Sequence, residues 1–350
     1  MKILVYGAGP FGSLFSQRLT EAGHDVYLLA RGKRLDDLKE HGVVIEDQTT
    51  GVKTETRVPV VDELNESDHY DLVIVTMRKN QAIKILPVLA ANKKVPTFLF
   101  MMNNAEGQKR LVEAVGKSRV LIGFPLPGGG RDGHVMRMIS VNKRKKWTMP
   151  IGEVDGRITE RTREIARVLG SMRGYKIQIR RDMDDWLKCH VGLLIPALVP
   201  MMYATKLDLE RTARTRDALV LGTRGLKESL RALRRAGVKL RPSAIKLFLY
   251  IPEPLMFVIL RKIVRWDAME GAVDHLRAAQ DEMVHLREEF FSLIKTGGER
   301  TPVLGKLQQY FNPETPPIPD GSSKIPLNWK GVWLPLLLVI ALVVLIILLV

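Results

Sequence analysis

The stretch Lys2–Arg31, KILVYGAGPFGSLFSQRLTEAGHDVYLLAR, decides how the N-terminal half of this chain folds. KILVY is a short, nearly continuous apolar run, the pattern of a parallel strand buried on both faces. Gly7, Gly9 and Gly12 follow at the G-x-G-x-x-G spacing. Gly7 allows a tight turn, Gly9 lets backbone come close to a bound anion, and Gly12 lets a helix pack on the strand. Pro10 suits a first helical turn, where its missing N–H is no loss. Leu14, Phe15 and Leu19 recur at helical spacing, Gly23 ends the helix, and DVYLLA (Asp25–Ala30) reads as a second strand.

Strand, glycine turn, helix and strand in this order predict a Rossmann-type α/β domain that binds a dinucleotide. Gly7, Gly9, Pro10, Phe11 and Gly12 are its expected cofactor contacts. An Asp or Glu at the end of the second strand would suit the ribose of NAD. This chain has Arg31 there, followed by Lys33 and Arg34, and cations suit a 2′-phosphate, so NADP(H) is the expected cofactor. YDLVIVTM (Tyr70–Met77) and TFLFMM (Thr97–Met102) read as further buried strands, with a helical stretch around Gln81–Ala91 between them. Each ends in polar residues, Arg78 to Gln81 and Asn103–Asn104, which would edge the cofactor cleft. From Arg119 to Ile179 the pattern is β-rich around a helix near Thr159–Leu169, and from Asp182 to about Tyr310 it is helical. The stretch Asp267–Gly298 reads as one helix.

The single cysteine, Cys189, excludes a disulfide framework, and the seven histidines lack tight ligand spacing, so no metal is expected. A net charge of +16, clustered in NKRKKW (Asn142–Trp147) and RALRRAGVKLR (Arg231–Arg241), calls for an anionic partner. No nucleic-acid-binding signature accompanies it. VWLPLLLVIALVVLIILLV (Val332–Val350) carries no charge and has the length of a bilayer core, with Trp329, Lys330 and Trp333 at its start. We expect a single transmembrane helix there, a membrane-anchored protein with a cytoplasmic body, and basic clusters on the anionic membrane surface. The expected division is 1–181 Rossmann domain, 182–311 all-α domain, 312–331 Pro-rich tether and 332–350 anchor.

The order of motifs resembles the ketopantoate reductase (2-dehydropantoate 2-reductase) family. The resemblance rests on GAGPFG, LLAR, VTMRKNQ (Val75–Gln81), MMNNAEG (Met101–Gly107), RDGHV, IGEVDG, WLK (Trp186–Lys188) and DEM (Asp281–Met283). It implies a Rossmann domain joined to a helical domain and NADPH-dependent reduction of a 2-keto acid. Lys188 is then similar to the family's catalytic lysine, Glu282 to its substrate-ordering glutamate, and Asn103 to the asparagine near the nicotinamide. Arg78 stands where a lysine usually faces the cofactor phosphate, and Gln81 matches the glutamine three positions later. Asn104, Gly192 and Pro196 depart from the family's glycine and asparagines. That loss, with the apolar run VGLLIPALVPMMY, suggests a less polar carbonyl substrate. An NADP(H)-binding sensor or scaffold without turnover is the alternative, a third is another dehydrogenase using His190, and a homodimer is left open.

Overall fold

The structure, a computed structural model, describes residues 1–139, 146–266, 269–329 and 331–332. Its first strands are β1 (Lys2–Tyr6), β2 (Asp25–Leu29), β3 (Val43–Asp47), β4 (Lys53–Thr56), β5 (Val60–Val61) and β6 (Leu72–Val75). Then come β7 (Phe98–Met101), β8 (Val120–Gly123), β9 (Gly129–Asp132), β10 (Val135–Met138), β11 (Trp147–Glu153) and β12 (Tyr175–Ile179). The helices begin with α1 (Pro10–Glu21), α2 (Lys33–His41), α3 (Lys79–Ala82), α4 (Leu86–Ala91), α5 (Lys109–Val115) and α6 (Glu160–Gly170). They continue with α7 (Met183–Leu194), α8 (Leu198–Tyr203), α9 (Leu209–Arg214) and α10 (Arg216–Arg235). Last are α11 (Glu253–Val264), α12 (Met269–Ala278), α13 (Gln280–Lys295) and α14 (Pro302–Leu307).

An eight-stranded sheet runs β12-β11-β8-β7-β6-β1-β2-β5, parallel except where β11 meets β8. The order β5-β2-β1-β6-β7-β8 within it is that of a doubly wound dinucleotide-binding sheet, which bears out the fold read from Lys2–Arg31. Alternate residues serve opposite faces, as strand geometry requires. Ile3 and Val5 join Leu14, Phe15 and Leu19 of α1, while Leu4 and Tyr6 join Leu86, Leu111 and Leu187. One element was not foreseen. β3, β4, β9 and β10 form a separate four-stranded sheet, so Val135–Met138 lies outside the main sheet. Gln17 of α1 donates to the hydroxyls of Thr54 and Thr56 on β4, which ties this sheet to the helix.

The chain divides into two compact units, Met1–Val191 with Glu270–Phe290, and Gly192–Met269 with Phe291–Val350. This differs from the boundary at 181/182. Met183 and Leu187, one helical turn apart, are buried in the sheet's core, so the start of α7 belongs to the first unit. Their burial contributes about 3–6 kcal/mol to that docking. The helical stretch expected over Asp267–Gly298 is broken at Ala279 into α12 and α13 within residues 269–295; residues 267–268 lie outside the described residues.

The second unit is helical, as expected. Gly222 of α10 lies against Met201, and Gly225 against Ala197, Leu304 and Leu307; a side chain at either glycine would collide with these neighbours. Val199, Met201 and Met202 are buried, so the apolar run after Lys188 serves packing. Of the Pro-rich tether expected over 312–331, residues 312–328 are strapped to this unit. Ile318 is buried, Arg214 pairs with Asp320, and Asp217 accepts from the Ser322 hydroxyl and from the N–H groups of Lys324 and Ile325. The segment's prolines prevent regular structure, so its remaining backbone groups find partners on the helices.

The anchor expected over 332–350 lies outside the described residues from 333 onward, as do Lys330 and most of NKRKKW. Among the described residues one stretch, Met183–Tyr203, is long and apolar enough to cross a membrane. Most of it is buried within the protein, as core helices are.

Candidate functional site

The carboxyl ends of β1, β2, β6 and β7 lie along one edge of the first unit's sheet, and the chain order switches between β1 and β6. Gly7 has φ +111°, which an L side chain rarely adopts. A Cβ on Gly12 would come within 1.8 Å of the Gly7 carbonyl oxygen, so this glycine is required by the close packing of helix on strand. At Gly9 an added Cβ would meet nothing within 4 Å. No atom of the protein demands glycine there, and the open space fits a ligand's pyrophosphate. Gly9 also begins α1, whose first turn has neither a side-chain cap nor an acidic residue. Its N–H groups and the positive end of its dipole are thereby left for an anion.

The three cations after β2 take different roles. Arg31 is exposed and donates to the Tyr6 hydroxyl at 2.7 Å, and Lys33 is exposed. Arg34 is buried behind the glycine turn. It donates to the Ala8 carbonyl, the Ser13 hydroxyl and the His134 carbonyl, and burial pushes its guanidinium down to about 10. Arg34 therefore shapes the turn and is not available to a phosphate, while Arg31 and Lys33 are.

After β6, Arg78 donates to Asp281 at 2.9 Å and to the Ala278 carbonyl at the end of α12. Its guanidinium thus spans the break between α12 and α13. Gln81 is exposed. Lys79, expected with its neighbours to edge the cofactor cleft, is instead fully buried. Its ammonium donates to Asn104 at 2.9 Å and lies 3.5 Å from both Glu106 and Glu289.

Glu282 and Asn103 come together. The Glu282 carboxylate is 3% exposed and accepts from the Lys79 N–H at 3.2 Å and from the Asn103 side chain. Its second oxygen faces the His275 ring at 3.6 Å. Burial pushes this carboxyl up to about 7 against the opposing pull of those hydrogen bonds and of Arg78. Its protonation state therefore changes near neutral pH, as an acid–base or substrate-ordering group requires.

Lys188 is held by Asp184, one turn earlier on α7, at 2.5 Å, and not by Glu282. The i, i+4 spacing puts both on the helix face next to the buried Met183–Leu187 stripe. Its ammonium also lies against Gly107. The short loop from Asn103 to Gly107 therefore touches Glu282 at one end and Lys188 at the other. A hydrogen-bond chain joins the same groups: Lys79 to Asn104, Asn104 to Gln108 at 3.1 Å, and Gln108 to Asp184 at 3.1 Å. Asp184 was legible from its spacing to Lys188, and Glu289, seven residues after Glu282, shares its helix face. Nothing in the sequence marked Lys79 as buried. His190 stacks on Trp186 with Phe124 tilted against it, and burial pushes its imidazole down to about 4, so it stays neutral and serves packing.

The profile of the family "Ketopantoate reductase PanE/ApbA" matches residues 3–152. Over those residues the chain is similar to that family. An oxidoreductase of Bacillus subtilis, YkpB, is 29% identical over 194 residues, covering 54% of this chain and 61% of that protein. A 2-dehydropantoate 2-reductase of Aquifex aeolicus is 28% identical over 195 residues, covering 53% and 58%. The chain thus spans less than two thirds of either relative. The solved structure of D-mandelate dehydrogenase with NADH and anilino(oxo)acetate superimposes with a TM-score of 0.72 at 16% identity, covering 89% of this chain and 97% of that one. That likeness is one of fold. Where the ketopantoate reductase pattern has glycine after Asn103, this chain has Asn104, and the structure accounts for the exchange. The Asn104 side chain is spent on Lys79, Gln108 and the Gly107 carbonyl, so it shapes the loop from within.

Proposed function

We propose that the protein is a nicotinamide-dependent oxidoreductase of the ketopantoate reductase kind, using NADPH to reduce a 2-keto acid or a related carbonyl compound. The observation that carries this reading is the pairing of Asn103 with a buried Glu282 at one end of a loop whose other end meets Lys188. The dinucleotide would lie on Gly7, Gly9, Pro10, Phe11 and Gly12, with Arg31 and Lys33 facing the 2′-phosphate, and when bound it supplies a hydride. Lys188 donates a proton to the carbonyl oxygen as negative charge develops there, and Asp184 orients the ammonium. Glu282 orders a substrate hydroxyl, and Asn103 aligns the reacting groups without adding charge. We read 332–350 as a membrane anchor, with the basic body on the cytoplasmic side.

The test is NADPH oxidation across a panel of 2-keto acids and apolar ketones. Lys188→Met is expected to lower kcat by about 10²–10⁴-fold while the Kd for NADPH stays unchanged. NADPH binding with no turnover on any panel member would replace this reading with that of a cofactor-binding sensor.

A further inference from the structure

The second unit carries a face that its own fold does not use. On α11, Met256, Leu260 and Val264 recur every four residues and are buried. Other positions of the same helix are apolar as well: Leu255, Val258 and Ile263 are exposed, and Trp266, two residues past the helix end, is 55% exposed. A surface helix with this much apolar character on its outer side is unusual. The neighbouring 3₁₀ segment, Ser243–Leu249, adds Leu247, and Tyr250 beside it is 73% exposed. Between Lys239 and Trp266 the basic residues are Lys239, Arg241, Lys246, Arg261, Lys262 and Arg265, whereas Glu253 is the single acid. Glu253 is spent on Arg224, at 2.9 Å, and on the Asn328 N–H; Arg265 lies 3.4 Å from Glu210.

Two further features adjoin this face. A pocket of about 530 Å³ is lined by Arg234, Lys239, Arg241, Lys246, Leu249 and Tyr250, four cations over an apolar side. Gly331 lies against Pro252, just before the first residue of α11. In sequence the chain continues with WLPLLLVIALVVLIILLV (Trp333–Val350), which has no charged side chain.

We propose that the face formed by Ser243–Trp266 docks on an anionic lipid bilayer, with Leu255, Val258, Ile263 and Trp266 entering the interface and the basic pocket receiving phospholipid headgroups. Exposed aliphatic and tryptophan side chains rimmed by lysine and arginine are what a bilayer interface accepts. Each basic residue near an anionic leaflet adds about 1 kcal/mol of attraction. A soluble acidic protein would satisfy the cations but would offer no continuous apolar medium to the following eighteen residues of sequence. This inference is independent of the oxidoreductase reading.

The experiment places an environment-sensitive dye on Val258→Cys in the full chain; Cys189 is buried, so the new thiol takes the label. Leu255→Cys is a second position on the face, and Glu314→Cys, exposed in the same unit, is the control. The protein is reconstituted into vesicles of phosphatidylcholine alone or of phosphatidylcholine with phosphatidylglycerol. In the anionic vesicles we expect the dyes at 255 and 258 to shift to the blue, to be shielded from aqueous iodide and to be quenched by nitroxide lipids. The control dye stays in water. Combining Arg261→Gln, Lys262→Gln and Arg265→Gln abolishes the shielding. Dyes that stay in water on anionic vesicles, or are shielded equally on neutral ones, overturn the proposal. So does shielding without vesicles, which would assign the face to a second copy of the chain.

Discussion

Two buried carboxylates, one in each unit, accept backbone N–H groups and are driven in opposite directions. Asp217, 6% exposed, spends both oxygens on the Ser322 hydroxyl and the N–H groups of Lys324 and Ile325, and it is held below the usual carboxylate range. Glu282, 3% exposed, accepts one backbone N–H at 3.2 Å and one amide, and burial lifts it to about 7. Burial opposes ionisation in both. Donors outweigh it at Asp217 and fall short at Glu282. A carboxylate whose acceptor capacity is filled fastens chain to chain, whereas one left short is ready for a proton or a substrate hydroxyl.

The largest effect tests whether the first unit's polar cluster is one system. Lys79 is the buried cation facing Glu289 and Glu106. Lys79→Met keeps the volume and removes the charge, leaving Glu289 with the His285 ring, 3.1 Å away, and backbone N–H groups as its neighbours. Removal of one partner from a buried pair is expected to cost on the order of 3–5 kcal/mol. Adding Glu289→Gln should recover part of that loss, read by urea unfolding. A single-variant cost below about 1 kcal/mol would mean that the carboxylates are not coupled through Lys79.

A somewhat smaller effect follows from Glu282. Its folded value, about 7, lies above the ordinary value of about 4.3, so the folded state binds the proton more tightly. The stability this gives is fully present below about pH 4 and is lost as pH rises through about 7, with a magnitude on the order of 3 kcal/mol. Glu282→Gln cannot ionise and should flatten that part of the profile, most visibly between about pH 5 and 8. Identical pH slopes for the variant and the parent chain would place Glu282 with Asp217 as a fastening group.

The contrast also separates what the sequence revealed from what it hid. The glycine turn and the strand order to be expected from it were legible, because spacing and strand ends carry that information; Asn103 and Glu282 were implied by the family resemblance alone, and nothing in the sequence paired them. Lys79 was hidden: beside Arg78 in an apolar context it looks like a second surface cation, and only the arrival of Glu289 from a distant helix makes its burial tolerable. The strap was hidden for the converse reason. Proline-rich composition predicts an absence of regular structure, but it does not predict an absence of partners, and Asp217 lies about a hundred residues from those it binds.

The smallest effect is expected at Asp217, and its sign makes it the sharper half of the comparison. Its depressed folded value means that its contribution is present above the ordinary carboxylate value, near pH 4, and is lost as pH falls through the lower folded one. At pH 8 Asp217→Asn keeps the shape but removes the charge and turns an NH₂ group toward donors that need an acceptor. The expected loss is about 1–2 kcal/mol, confined to the strap. It should be read by amide exchange at Lys324 and Ile325, whose N–H groups would open faster while the sheet strands keep their protection. At the same pH Glu282→Gln should leave the first unit as stable as before or more so, because it removes a buried charge with too few donors. Two carboxylate-to-amide changes at equally buried positions are thus expected to act with opposite signs. If both destabilise at pH 8, the shortage of donors at Glu282 does not govern its behaviour, and its readiness for substrate would have to come from elsewhere in the cleft.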